Sequence, residues 1–138
     1  MLHCHWVAIV HSQQPAELPS QPPPINYLTQ IKPLLAEKCY SCHGVLKQES
    51  ELRLETVDLM RSGGDSGPAI KPGNPAESLL LQRISSRDDD QMPPHGEGSP
   101  LKPDQIRLLE KWIDQGCNAP AEVVPVEPAD HWAFQKLV

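Results

Sequence analysis

The stretch Cys39-Tyr40-Ser41-Cys42-His43 constrains this 138-residue chain more than any other feature. Two cysteines separated by two residues and followed at once by histidine form the attachment signature of c-type haem. Each thiol adds to one vinyl group of the porphyrin, and the histidine then reaches the iron from the same side. The motif therefore predicts covalent attachment at Cys39 and Cys42, with His43 as the proximal iron ligand.

Three other interpretations use the same residues. A thioredoxin-like Cys-x-x-Cys requires a βαβ pattern around it, and the sequence has none. A zinc site requires further ligands, which Cys4, Cys117 or another histidine would supply without a second paired motif. A disulfide between Cys39 and Cys42 would leave His43 without a role. The rest of the chain favours haem attachment over all three.

Proline marks the ends of the predicted domain. The chain contains 16 prolines, and half of them lie in residues 15–24 and 120–128. We therefore expect an export-leader remnant and Pro-rich linker over residues 1–24, a haem domain over residues 25–118, and a Pro-rich tail over residues 119–138. Aromatic residues make up only 4% of the chain, which is typical of a small core completed by a cofactor.

Charge and hydropathy limit the partners and the location. The formal net charge is −6 without a basic stripe, which argues against nucleic acid and anionic membrane surfaces. The apolar run from Trp6 to Val10 is too short to span a membrane and indicates a degraded export signal. Because most systems attach this kind of haem outside the cytoplasm, we expect an exported protein, periplasmic or on the cell surface.

Helical patterns fill the predicted domain. Asn26 is a candidate N-cap for a first helix that carries apolar residues at helical spacing up to the cysteine motif. Further helices are predicted over residues 55–62, from an Asn74 cap to about Ser86, and over residues 103–115 before a stop at Gly116. Residues 45–56 are expected to form an extended loop. These patterns predict an all-α fold of about four helices.

Met92 is the predicted second axial ligand. It stands between two predicted helices, and Pro93-Pro94 keep the chain after it extended, as a loop that approaches the haem from the opposite face requires. Met60 lies inside a short predicted helix, at a spacing that suits core packing. His95 is the competing candidate, because it follows Met92 by only three residues.

Five segments together resemble the planctomycete-type cytochrome c domain, a class I c-type cytochrome. They are residues 34–44 (LLAEKCYSCHG), 52–54 (LRL), 63–70 (GGDSGPAI), 72–80 (PGNPAESLL) and 92–94 (MPP). The resemblance covers about residues 25–117. It implies a small class I cytochrome c fold around covalent haem c, with the iron held by His43 and Met92.

The resemblance also carries expectations beyond this domain. In that family the domain usually opens a far longer exported protein, and a stretch like His131-Trp132-Ala133-Phe134 leads into further domains. We therefore expect this chain to be part of a longer multidomain protein. One departure stands at Glu49-Ser50-Glu51, where the family tends to have glycines, so the loop there is expected to follow a different path.

The leading functional prediction is one-electron transfer to an unidentified redox partner protein, without enzymatic turnover. A haem bound by both histidine and methionine has no open coordination site. The acidic stretch after Arg87, Asp88 to Asp90, either steers a basic partner or is a solvated loop. The alternatives are a sensing or peroxidase-like haem with an open sixth site, and an interaction module in which haem stabilises part of a larger surface protein.

Overall fold

The structure is a computed structural model that describes residues 22–126. Within this range four α-helices follow one another along the chain. They are α1 (Lys32–Lys38), α2 (Val57–Ser62), α3 (Leu79–Ser85) and α4 (Pro103–Asp114). A π-helical segment, Tyr27–Ile31, leads directly into α1, and short 3-10 segments, Glu49–Glu51 and Pro75–Glu77, precede α2 and α3.

The first helical segment begins where the sequence predicts. The side chain of Asn26 accepts a hydrogen bond from the Thr29 amide at 3.1 Å, so it is the N-cap. Pro33 lies in the first turn of α1, at the point where the helical chain changes from π to α geometry. The helix ends at Lys38, immediately before the cysteine motif.

The helix predicted from Asn74 to about Ser86 is divided in two. Asn74 caps as expected and accepts from the Glu77 amide at 3.3 Å. Only one 3-10 turn follows, because Ser78 adopts an extended conformation. Its hydroxyl donates to the Asn74 carbonyl at 3.0 Å and accepts from the Lys71 amide at 2.9 Å. Serine competes for backbone groups in this way, and α3 starts afresh at Leu79.

The prediction of an all-α fold is wrong. Two strands, β1 (His43–Gly44) and β2 (Lys47–Gln48), pair antiparallel, with His43 opposite Gln48 and Gly44 opposite Lys47. Only 41% of the described residues are helical. The chain must turn back directly after the cysteine motif, and Gly44 permits this, because a Cβ there would stand 2.5 Å from the Tyr40 carbonyl oxygen. Strands of two residues are too short to produce an alternating pattern, so the sequence suggested a loop.

The core lies where α3, α4 and the first helical segment meet. Trp112, Ile113 and Leu109 of α4 are fully buried, and so are Ile31 and Met60. Burial of these side chains supplies most of the favourable free energy of folding. None of the helices within residues 22–126 has the length and apolarity that crossing a bilayer requires.

The chain after α4 lies against the helices. The Trp112 indole N–H donates to the Asn118 carbonyl at 3.1 Å, and the Arg53 guanidinium donates to the Pro125 carbonyl at 2.8 Å. Glu122 forms an ion pair with Lys32 of α1. The domain boundaries stay a prediction, since residues 1–21 and 127–138 lie outside the described part, including Cys4 and the stretch His131 to Phe134.

Candidate cofactor site

A cavity of about 500 Å³ opens between the end of α1, the β1–β2 hairpin, α3 and the loop before α4. Its volume is within the range of small-molecule and cofactor sites. Apolar side chains make up much of its wall: Leu52, Leu54, Ala69, Leu79, Leu80, Ile84 and Pro93. Such a wall excludes water and suits a flat apolar group.

The two cysteines of the motif and His43 lie together on one wall of this cavity. After α1 the chain winds tightly, since the Cys42 and His43 amides both donate to the Cys39 carbonyl, at 3.1 and 2.8 Å. This turn presents Cys39, Cys42 and His43 to the same space. Both thiols are free, so the disulfide interpretation finds no support.

Burial and the neighbouring Cys42 raise the pKa of the Cys39 thiol to about 12. At neutral pH the Cys39 side chain is therefore an uncharged thiol in an apolar wall. A low-pKa thiolate would be expected of a redox-active Cys-x-x-Cys, and Cys39 does not have that character. The site has no βαβ surroundings either, because the strands of the described residues are limited to β1 and β2.

His43 fits the role of an axial ligand. Its backbone is fixed on both sides, because its carbonyl accepts from the Leu54 amide at 2.9 Å and its amide bonds to Cys39. Its ring nitrogen Nδ1 is buried and has no hydrogen-bond partner among the described residues. A buried imidazole without partners at one nitrogen is costly unless a bound group satisfies the ring.

Met92 reaches the same cavity from the loop between α3 and α4. Its amide donates to the Arg83 carbonyl at 3.0 Å, which ties this loop to the last turn of α3. Met60 is fully buried in the helical core and is not part of the cavity wall. His95 is exposed and is not part of the wall either. Among these three candidates, Met92 alone faces the residues of the cysteine motif.

The donor set therefore fits covalent haem. Two free thiols, one imidazole and one thioether surround an apolar cavity, and these are the groups that attach and ligate haem c. A zinc site is less compatible, because no three histidine, cysteine or acidic side chains between residues 22 and 126 converge to hold a metal ion. The cofactor and ligand assignments stay predictions.

Charged side chains surround the apolar wall. Three basic residues line the cavity, Lys38, Lys47 and Arg83, together with five acidic ones, Glu49, Asp65, Asp89, Asp90 and Glu97. Arg83 forms an ion pair with Asp90, and Lys47 forms one with Glu49 that lowers the pKa of that carboxyl. The acidic stretch after Arg87 thus contributes two of its three aspartates to the cavity.

Residues 39–96 match the family described as Planctomycete cytochrome C. The resemblance inferred from the sequence is thereby confirmed over a segment that contains the cysteine motif and Met92, although it is less than half of the chain. The matched family is one of c-type cytochromes, so the match indicates a haem protein. Neither a curated protein nor a solved structure matches the chain.

Sequence reasoning missed one set of residues at the site. Glu55 is buried, and its carboxylate accepts a hydrogen bond from the Val45 amide at 2.6 Å. Val45 stands two residues after His43, the last residue of the cysteine motif. Arg53 pairs with the same carboxylate at 2.7 Å. The sequence feature that could have indicated Arg53 and Glu55 is the brief alternation in Leu52-Arg53-Leu54-Glu55. The two leucines line the cavity and the two charged residues do not.

Proposed function

We propose that this chain is a c-type haem protein that transfers single electrons and does not turn over a substrate. One observation carries this proposal: Cys39, Cys42, His43 and Met92 all line a single apolar cavity. The match to a cytochrome c family over residues 39–96 supports it. No second function is favoured by a comparable observation.

Each residue of the site has a distinct role in this proposal. Cys39 and Cys42 would hold the haem through thioethers, while His43 and Met92 would bind its iron. The bound haem supplies a one-electron couple whose potential depends on its axial ligands and its burial. The leucines of the wall exclude water. An iron bound by both His43 and Met92 would have no open position for a substrate.

The charges around the cavity suggest the kind of partner. With five acidic and three basic side chains in the wall, the surface around the cavity carries a net negative charge. A redox partner with a basic docking surface would be steered towards it, most strongly at low ionic strength. We further propose that the protein acts outside the cytoplasm, where haem attachment of this kind usually occurs.

Covalent attachment is the first test. The full chain is produced with a haem-attachment system and examined by pyridine haemochrome spectrum and intact mass. We expect one haem retained after acid-acetone extraction, and none retained in the Cys39→Ala, Cys42→Ala double variant. Cys117→Ala is the matched control, since Cys117 is buried away from this cavity, and should keep its haem. Complete extraction from the unsubstituted protein would contradict the proposal.

Electron transfer is tested separately. The reduced protein should reduce small basic cytochromes in stopped-flow mixing, with a rate that falls as salt is added. It should not bind carbon monoxide at neutral pH, since Met92 occupies the sixth position. Rapid binding of carbon monoxide would instead favour a sensing or peroxidase-like haem.

A further inference from the structure

We propose that Glu55, paired with Arg53, is the positioning residue for His43. This inference rests on the proposed function, because the position of His43 matters through its role as a haem ligand. Neither charged residue lines the cavity. Both act through the attachment segment, which we define as residues 39–45.

Glu55 and its neighbour Leu54 hold the attachment segment at three points. The Glu55 carboxylate accepts from the Val45 amide at 2.6 Å, and the Leu54 amide donates to the His43 carbonyl at 2.9 Å. The Glu55 carbonyl lies 3.4 Å from the Tyr40 hydroxyl, which donates to it. Residues 54 and 55 thus contact Tyr40, His43 and Val45 of the attachment segment.

The alternation along residues 52–55 explains how one short stretch both lines the cavity and holds the attachment segment. Leu52 and Leu54 contribute to the cavity wall, whereas Arg53 and Glu55 do not, which is the alternation expected where successive side chains point to opposite faces. The apolar positions therefore contact the same space as His43. The charged positions hold the segment that carries it.

Burial makes this contact specific. The Glu55 side chain is 8% exposed and that of Arg53 is 13% exposed, so both charges are largely removed from water. A buried carboxylate is tolerated only when its oxygens are paired, and here one oxygen accepts from the Arg53 guanidinium while the other accepts from Val45. If Arg53 moves, a buried charge is left uncompensated, and if Val45 moves, a buried carboxylate oxygen loses its hydrogen bond. The pair therefore favours one position of the attachment segment.

Tyrosine hydroxyls complete the arrangement. Tyr27 and Tyr40 both donate to the Glu55 carbonyl, at 3.5 and 3.4 Å. Burial raises the pKa of both phenols above the usual value, so both remain protonated donors at neutral pH. The backbone of Glu55 is thus fixed from the core side while its carboxylate reaches the hairpin.

The test compares Glu55→Ala with Thr56→Ala in the full haem-loaded chain. Thr56 is the matched control, because it is buried next to Glu55 but its hydroxyl caps α2 at the Leu59 amide, outside the attachment segment. We expect the Val45 amide to exchange with solvent hydrogen at least tenfold faster in Glu55→Ala than in Thr56→Ala. We also expect the largest g value of the oxidised haem, which reports the orientation of the axial imidazole, to shift in Glu55→Ala alone.

Glu55→Gln separates positioning from general destabilisation. Glutamine keeps an oxygen that can accept from Val45, so this variant should retain the unsubstituted g value while losing the ion pair with Arg53. Equal Val45 exchange and equal g values in Glu55→Ala and Thr56→Ala would overturn the proposal. So would an unprotected Val45 amide in the unsubstituted protein, a result that requires no variant to fold. Absence of haem from that protein would instead refute the proposed function, and Val45 exchange would still decide whether Glu55 holds the segment.

Discussion

Tyr27 stacks against Trp112, with the ring centroids 5.6 Å apart and the ring planes inclined by 27°. The contact joins the first helical segment to α4, two elements at opposite ends of the described chain. Because Tyr27 also hydrogen-bonds to Glu55 and the segment continues into α1, the stack links the α4 core to the helix that delivers the cysteine motif. The position of the candidate cofactor site therefore depends on packing far from the cavity.

Trp112→Ala should destabilise the protein more than any surface change. Trp112 is fully buried, and its indole N–H is bonded to Asn118, so the substitution leaves a large cavity and an unpaired carbonyl. We expect a loss of about 3–5 kcal/mol in the free energy of unfolding. Leu28→Ala is the control, because Leu28 is 51% exposed beside Tyr27, and should change stability by less than about 0.5 kcal/mol. Urea denaturation of both variants checks this.

Replacing Ser50 or Glu51 by glycine should stabilise the protein. Both residues have φ of +56°, in the left-handed region that L-residues with a side chain adopt at a cost. We expect a gain of about 0.5–1 kcal/mol from each substitution, because relief of the left-handed conformation outweighs the extra entropy that glycine loses on folding. Glu49→Gly, at the neighbouring position without positive φ, should destabilise or have no effect; thermal melts of the three variants discriminate them.

Local signals predicted where several helical segments begin and end. Asn26 and Asn74 accept the expected capping hydrogen bonds, and Gly116, with φ of +95°, follows α4 as a helix stop. These outcomes depend on residues within a few positions of each other, so the sequence contains the necessary information. The predictions for the cysteine motif and for Met92 likewise rest on short local patterns.

Contacts between distant residues were not predictable in the same way. Nothing in the local pattern indicates that Glu55 would bond to Val45, or that Arg53 would bond to Pro125 far along the chain. The break at Ser78 depends on a hydroxyl that bonds backwards to Asn74 and Lys71. The β1–β2 hairpin, which overturned the all-α prediction, is likewise held by distant residues, because the Leu54 amide donates to the His43 carbonyl and the Val45 amide donates to the Glu55 carboxylate.

The Cys117 thiol should make stability depend on pH in the alkaline range. Burial raises its pKa to about 11, compared with 9.0 for an unperturbed thiol. The unfolded state therefore loses this proton first, so the stabilising contribution is complete below pH 9 and is lost as the pH rises to about 11. The loss is at most about 2–3 kcal/mol. Denaturation at pH 8 and pH 11 should show a larger decrease in the unsubstituted protein than in Cys117→Ala, where a parallel decrease would contradict the assignment.

The sixth ligand can be assigned by comparing three substitutions, because the structure gives the three candidates different surroundings. Met92 lines the cavity on a loop held by the Arg83 carbonyl, Met60 is fully buried in the core, and His95 is exposed outside the wall. Substituting each of these three residues is therefore expected to have a different combination of effects on stability and on the haem spectrum.

Met92→Ala should abolish the weak near-infrared sulfur-to-iron band of the oxidised protein and lower the reduction potential, since thioether ligation raises that potential. Met60→Ala should leave the band in place but cost about 2–5 kcal/mol of stability, because it creates a cavity in the core. His95→Ala should change neither the near-infrared band nor the stability, since an exposed side chain contributes little to packing. Near-infrared absorption, redox titration and urea denaturation of the three variants give the full comparison. If the band persists in Met92→Ala, or is absent from the unsubstituted protein, Met92 is not the ligand. If His95→Ala alone alters the spectrum, the loop must present its histidine to the iron.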